Sequence, residues 1–252
     1  MIFVPLERKK SHQWYLWVFR SETTVVFYVK PTRGSIVPEE HFGDIGWGIM
    51  STGRFSPYKK LIATGLFLVA FYWAHAKRDF LAFNADKDFD EWSNQWIERI
   101  ENIYYLNNER ITHEIGSEEF LEWDKKLHEA MDDLKSCLHQ ELILFKDEKR
   151  SERFKVLKSL KNHWNGLILF IDYPWIPMDN NPGESNLRGC VSGRKAYFVC
   201  GAIWSPYFYG QTVSILQTMK MGYKRKKWLD LYLNACAIAG VKAPDDIFQF
   251  LS

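Results

Sequence analysis

The chain has 252 residues, 46% hydrophobic and 25% charged, with a net charge of +2. That length holds one substantial core, or one core with an inserted subdomain, and nothing suggests a second independent domain. The near-balanced charge excludes binding to nucleic acid through a whole-molecule positive field, so any such role must rest on local clusters.

The first third reads as strands, because short β-branched and aromatic runs are separated by charges and turn residues. Strands are expected at Ile2–Leu6, Gln13–Phe19, Thr23–Val29, Gly46–Met50 and Leu66–Tyr72. Only a tight turn fits between Arg20 and Thr23, which predicts an antiparallel hairpin. Short helices are expected at Ile36–Phe42 and Pro57–Ile62, and a longer one at Ala74–Phe83. From Asp86 to His163 the pattern becomes helical. Trp92, Trp96, Ile100 and Tyr104 form one stripe, then Phe120, Leu127, Met131, Leu134 and Leu138 another, as two or three long helices require. Tyr173-Pro174-Trp175-Ile176-Pro177 predicts a stiff extended connection that no helix can continue. Helices at Tyr209–Met219 and Trp228–Ala239 close the chain, the latter stopped by Gly240. Strands first, then helix and strand in alternation, predict a mixed α/β sheet.

Aromatic residues make up 16% of the chain and include 11 Trp, which calls for a large core or for surfaces that stack. Cys137, Cys190, Cys200 and Cys236 are scattered without metal spacing and read as buried thiols in a reducing compartment. The start of the chain places its charges after its short apolar run, the reverse of a secretory signal. The most apolar run, Leu66 to Ala74, is far too short to span a bilayer. A cytoplasmic protein with no membrane partner is expected.

Chemistry concentrates between Met178 and Lys195. Asn181 suits an N-cap, Pro182 the first helical position and Glu184 the third, where a carboxylate reaches back to the cap amide. Capping is the commoner use of such residues. The same placement lets a helix N-terminus keep Glu184 ionised for a metal while Arg188, Arg194 and Lys195 approach phosphates. Both readings stay open. Arg188 lies four residues after Glu184, where an ordinary ion pair is the simpler reading. The run Lys220, Lys224, Arg225, Lys226 and Lys227, with Tyr223 and Trp228 beside it, serves equally as a solvated helix end or a phosphate contact. His75 and Asp79, at i,i+4 around Arg78, have no third partner in view for a metal.

The order Asp179-Asn180-Asn181, two variable residues, Glu184, then Leu187-Arg188 and Gly193-Arg194-Lys195 resembles the end of the catalytic domain of insertion sequence 66 family transposases. Further segments resemble that family in the same order: Trp14 to Ser21, Val37-Pro38 with His41-Phe42-Gly43, Arg54 to Lys59, and Ala70 to Phe80. The resemblance implies a single domain with a ribonuclease H-like mixed sheet flanked by helices, at about 1–83 and 164–252. A helical insertion at about 84–163 would precede the last catalytic helix. It implies DNA cleavage and strand transfer by two divalent ions, Mg²⁺ or Mn²⁺, held by two aspartates and a glutamate. Glu184 is then the final acid of the triad, with Asp179, Asn180, Asn181, His75, Arg78 and Asp79 in support. DNA is the expected partner, through Arg188, Arg194, Lys195, Lys224, Arg225, Lys226 and Lys227, together with other transposase subunits.

The sequence departs from that pattern at the metal ligands. The first aspartate belongs on the opening strand, yet no Asp precedes Asp44. The second belongs at the strand end before Arg54-Phe55-Ser56, where the chain has Gly53. Asp44, Asp79, Asp172 and Asp179 are the acids that remain nearby, and Asp179 is the best placed. A catalytically defective copy is expected. The alternatives are a non-catalytic DNA- or transposase-binding remnant, and the product of a decaying gene, which would fold poorly.

Overall fold

Alternating large apolar and polar residues set the strands, and apolar residues at helical spacing set the long helices, in an α/β chain. The computed structural model describes residues 3–6, 12–43, 47–54, 58, 63, 65, 67–82, 90–179, 185–188, 190, 204–222, 230, 234 and 237. The expected helices at 57–62 and 228–239 fall mostly outside these, as do Asp44, Cys200, Cys236 and Gly240. In chain order come β1 (Phe3–Leu6), β2 (His12–Arg20), β3 (Val25–Lys30), α1 (Ile36–Phe42), β4 (Gly48–Thr52) and β5 (Phe67–Phe71). Then follow α2 (Trp73–Leu81), α3 (Asp90–Arg110), α4 (Glu118–Leu144), α5 (Glu152–Leu167), α6 (Leu169–Asp172) and α7 (Trp204–Gly222). The chain divides into two compact units, residues 1–37 with 181–252, and residues 38–180.

In the first unit β1, β2 and β3 form an antiparallel sheet in that order. Leu16 faces Val29 and Val18 faces Phe27 across the hairpin. The pleat therefore gathers Trp14, Leu16, Val25, Phe27 and Val29 into one buried cluster with Cys190. The turn is tight, as expected, spanning residues 21–24, and Ser21 closes it. Its N–H donates to the Thr24 carbonyl at 2.8 Å, and its hydroxyl accepts from the Thr24 N–H at 3.0 Å. Helix α7 lies on β3, and its hydroxyls serve the outer edge of that strand. Ser214 Oγ accepts from Phe27 N–H at 2.8 Å and Thr218 Oγ1 from Val25 N–H at 3.0 Å. The approach is close: a Cβ at Gly210 would stand 2.9 Å from the Phe27 carbonyl oxygen.

In the second unit β4 and β5 pair in parallel, from Gly48 opposite Phe67 to Thr52 opposite Phe71. Helix α5 crosses β5 at Gly166, where a Cβ would meet the Phe71 ring and stand 2.5 Å from the Val69 carbonyl oxygen. The predicted stripes become the core: Trp96, Ile100, Leu127, Leu134 and Leu138 are buried together with Trp73, Phe80, Leu157 and Leu167. Trp92 and Trp96 both donate their indole N–H to Glu141 Oε2, at 2.8 and 3.0 Å. Ser117 caps α4 and Ser151 caps α5, each hydroxyl accepting an N–H three residues on. Cys190 is buried as expected, whereas Cys137 is only half-buried, its thiol directed at Glu141. No helix among the described residues is long and apolar enough to cross a membrane.

The expected extended connection at 173–177 is instead a turn. Ile176 N–H donates to the Tyr173 carbonyl at 2.9 Å. Pro174 supplies the fixed φ that suits the second position of such a turn, so proline bends the chain here rather than extending it.

Arg110, at the end of α3, has a side chain that is 0% exposed. Its guanidinium pairs with Asp124 Oδ1 at 2.5 Å and donates to the carbonyls of Phe170 at 2.7 Å and Ile171 at 3.2 Å. This clamp joins α3, α4 and α6. Arg110→Ala should lower unfolding free energy by about 3–5 kcal/mol, because it strands a carboxylate and two carbonyls. Arg110→Lys should lose much of the same, since an ammonium cannot span all three acceptors. Urea denaturation of both variants measures this, and a loss within experimental error would show that the clamp is dispensable.

Candidate functional site

Parallel strands present their carboxyl ends together, and sites in α/β sheets form there. Thr52 and Phe71 are register partners at the ends of β4 and β5, so Gly53 and Tyr72 leave the sheet side by side. The Tyr72 hydroxyl donates back to the Ser51 carbonyl at 2.9 Å, holding the two exits together. After Tyr72 the chain enters α2, which carries His75, Arg78 and Asp79.

Arg54 organises this corner. Its Nη2 pairs with Asp79 Oδ2 at 2.6 Å and donates to the His75 carbonyl at 2.9 Å, while Nη1 donates to Ser159 Oγ at 2.9 Å. One guanidinium thus ties the end of β4 to α2 and α5. Asp79 is committed to this pair. Gly53 presents no donor, and a Cβ added there would lie 3.1 Å from His75 Nε2. The imidazole stands beside the place a side chain at 53 would enter.

The start of α2 also anchors the segment that leads to the motif. Trp73 N–H donates to the Met178 carbonyl at 3.0 Å, and the Tyr104 hydroxyl of α3 donates to Asp179 Oδ1 at 2.5 Å. Burial, reinforced by the Asp179 carboxylate, pushes the Tyr104 phenol far above its usual pKa, so it remains a donor throughout the working range. Asp179, Tyr104, Lys77 and Arg78 line one hollow. Asp172 is exposed at the end of α6.

In the other unit residues 185–188 are helical. Asn186 is buried and accepts from Arg20 Nη1 at 2.8 Å, and Leu187 packs on the Trp14 and Leu16 cluster. Arg188 is exposed. Glu184, Asn180, Asn181, Arg194, Lys195, Lys224, Arg225, Lys226 and Lys227 lie outside the described residues. Among the described residues no three His, Cys, Asp or Glu side chains come together as a metal set. Sequence reasoning passed over Arg54, Tyr104 and Ser159 as site-builders. Arg54 stood in a quoted motif, but nothing in that motif named its partners, and Tyr104 read as one more residue of an apolar stripe.

Arg54→Ala should cost about 2–3 kcal/mol in a urea melt, since it removes an ion pair with two hydrogen bonds and leaves Asp79 unpaired. Arg54→Lys should recover less than half, because a single ammonium cannot reach three acceptors. Full stability in Arg54→Ala would show that the corner is held by packing alone.

The comparisons with known proteins are narrow. A family model described as Transposase IS66 family matches residues 3–205. No curated protein and no solved structure matches the chain. The matched span takes in β1 through α6, the Arg54 corner and the segment from Asp179 to Arg188, which is most of the sequence. The chain belongs to the IS66 family of transposases.

Proposed function

We propose that this chain is the catalytic core of an insertion sequence 66 transposase, ribonuclease H-like at about 1–83 and 164–252 with a helical insertion at about 84–163, and that this copy engages DNA without cleaving it. What supports the fold is the order of elements: an antiparallel meander, then a parallel pair, then three long helices before the motif segment. What supports the loss of cleavage is Gly53. Two divalent cations close together repel strongly and need converging carboxylates to hold them.

Among the described residues no set of side chains fits such a pair of ions. Position 53 offers no ligand and has the His75 ring beside it. Asp79 is held by Arg54, and Asp179 by Tyr104. Each of these two acids already has one carboxylate oxygen engaged within the protein. Mg²⁺ demands near-octahedral oxygen geometry, and Gly53 contributes no side-chain oxygen to it.

The chain's cations suit the phosphate backbone. Arg188 is exposed on its helix, Arg194 and Lys195 follow it in sequence, and Lys224 to Lys227 form the densest basic run. Contacts of this kind give affinity without reading sequence, and they weaken as salt competes.

Calorimetric titration with Mn²⁺ tests the metal reading. The chain as it stands should show no saturable binding. Gly53→Asp should acquire weak saturable binding that Glu184→Ala, added to it, removes. Binding by the unaltered chain that disappears in Glu184→Ala would mean that another acid completes the site and the copy is armed. For DNA, affinity for a short duplex should fall by about 10³ or more between 50 and 200 mM salt if six or more phosphates are contacted. Changing Arg188 to Ala should reduce the slope against salt by about one. An affinity indifferent to salt would remove the phosphate reading.

A further inference from the structure

Two neighbouring hollows in the second unit share Tyr104 and Asp179. The larger, about 540 Å³, lies between the end of α3 and the 174–179 segment, with Asn107, Ile111, Trp175 and Met178 in its wall. The smaller, about 410 Å³, runs along α2 past Lys77 and Arg78. They adjoin at Tyr104 and Asp179 as one groove, aromatic and apolar at one end and lined by Lys77, Arg78 and Glu101 at the other. Volumes of this order accommodate a small-molecule-sized group.

Trp175 marks the aromatic end. It is 68% exposed and packs against Tyr173. Pro174 and Pro177 restrict the backbone, the Ile176 N–H bond to Tyr173 closes the turn, and the Tyr173 ring meets the indole edge-on at 5.3 Å and 74°. An exposed indole on a proline-restricted backbone offers a face on which a flat ring can stack. Beside it, Asn107 is 4% exposed and lines the hollow, and its Oδ1 has no hydrogen-bond partner among the described residues. Asp179 uses Oδ1 to accept from Tyr104, which leaves Oδ2 to accept from an incoming amine. At the far end Lys77 is paired with Glu101 at 2.7 Å, whereas Arg78 is exposed and makes no ion pair among the described residues.

A flat ring with an amine edge, joined to an anion, describes a nucleotide. We propose that this groove receives an unpaired nucleotide of DNA. Its base stacks on Trp175 and offers amine hydrogens to Asp179 and Asn107, and its phosphate lies toward Arg78. A paired base cannot enter, because a concave wall reaches a base only when that base has left the duplex stack. The inference rests on the reading that this chain engages DNA. It gives the second unit a role in distinguishing a single-stranded end from intact duplex.

The test uses the full chain at low salt. Fluorescence anisotropy compares a blunt duplex with the same duplex carrying a short single-stranded overhang, and affinity for the blunt duplex serves as the internal reference. The overhang should tighten binding about tenfold, as expected for one or two stacked bases. Trp175→Ala should abolish most of that gain, Trp175→Phe should keep part of it, and Arg78→Ala should reduce it. A 2-aminopurine placed in the overhang should be quenched by the wild type and not by Trp175→Ala. Because Trp175 is largely exposed, its variants should fold, and an unchanged melting temperature checks this. Blunt-duplex binding with no gain from the overhang, or a gain that survives Trp175→Ala, overturns the groove alone. No binding to either DNA overturns the DNA reading and the groove with it.

Discussion

Trp73 is the residue on which the second unit turns. It is fully buried, its indole N–H donates to the Leu167 carbonyl at 2.9 Å, and its ring meets Trp164 edge-on at 6.3 Å. Its backbone N–H donates to the Met178 carbonyl. One side chain and one amide thus fix the start of α2 against the end of α5 and against the segment entering the motif. Burial of an indole is a large stabilising term, and its N–H must find a partner in the same stroke. Everything placed by α2 inherits this anchor: His75 beside Gly53, Asp79 on Arg54, and Arg78 along the groove.

Charge at the end of β4 follows a consistent logic. Acids gathered at one corner repel one another when no cation offsets them. In this chain the corner carries a cation in place of an unpaired acid. Arg54 takes Asp79, a backbone carbonyl and a hydroxyl, and Gly53 adds no charge. The Asp79 carboxylate is thus offset by a cation of the chain itself.

The first unit solves a different problem. An edge strand exposes unpaired N–H groups and invites unwanted pairing. Ser214 and Thr218, one turn apart on α7, meet the free amides of β3, and Thr218 also donates to the Val25 carbonyl at 3.1 Å. Gly210 lets the helix come near enough for short hydroxyls to reach. The same cluster seats Leu187, so the motif helix is fixed on its apolar side while Arg188 stays in water.

Patterning alone determined the five strands in order, the hairpin, the apolar stripes of α3 and α4 and the mixed α/β class, because periodicity records which face of each element is buried. Family motifs marked position 53 and the run from Asp179 to Arg188 as the places to look. Only the tertiary structure decided what those residues touch. Tyr104 belongs to an apolar stripe by spacing, yet its hydroxyl reaches Asp179, 75 positions away in sequence. Arg54 lies 105 positions from Ser159 and bonds to it. The turn at 173–176 and the exposure of Trp175 were hidden because proline forbids helix without choosing between extension and a bend. Periodicity reports burial, but partners distant in sequence are chosen by how the elements pack, and in this chain that packing decides what the site can do.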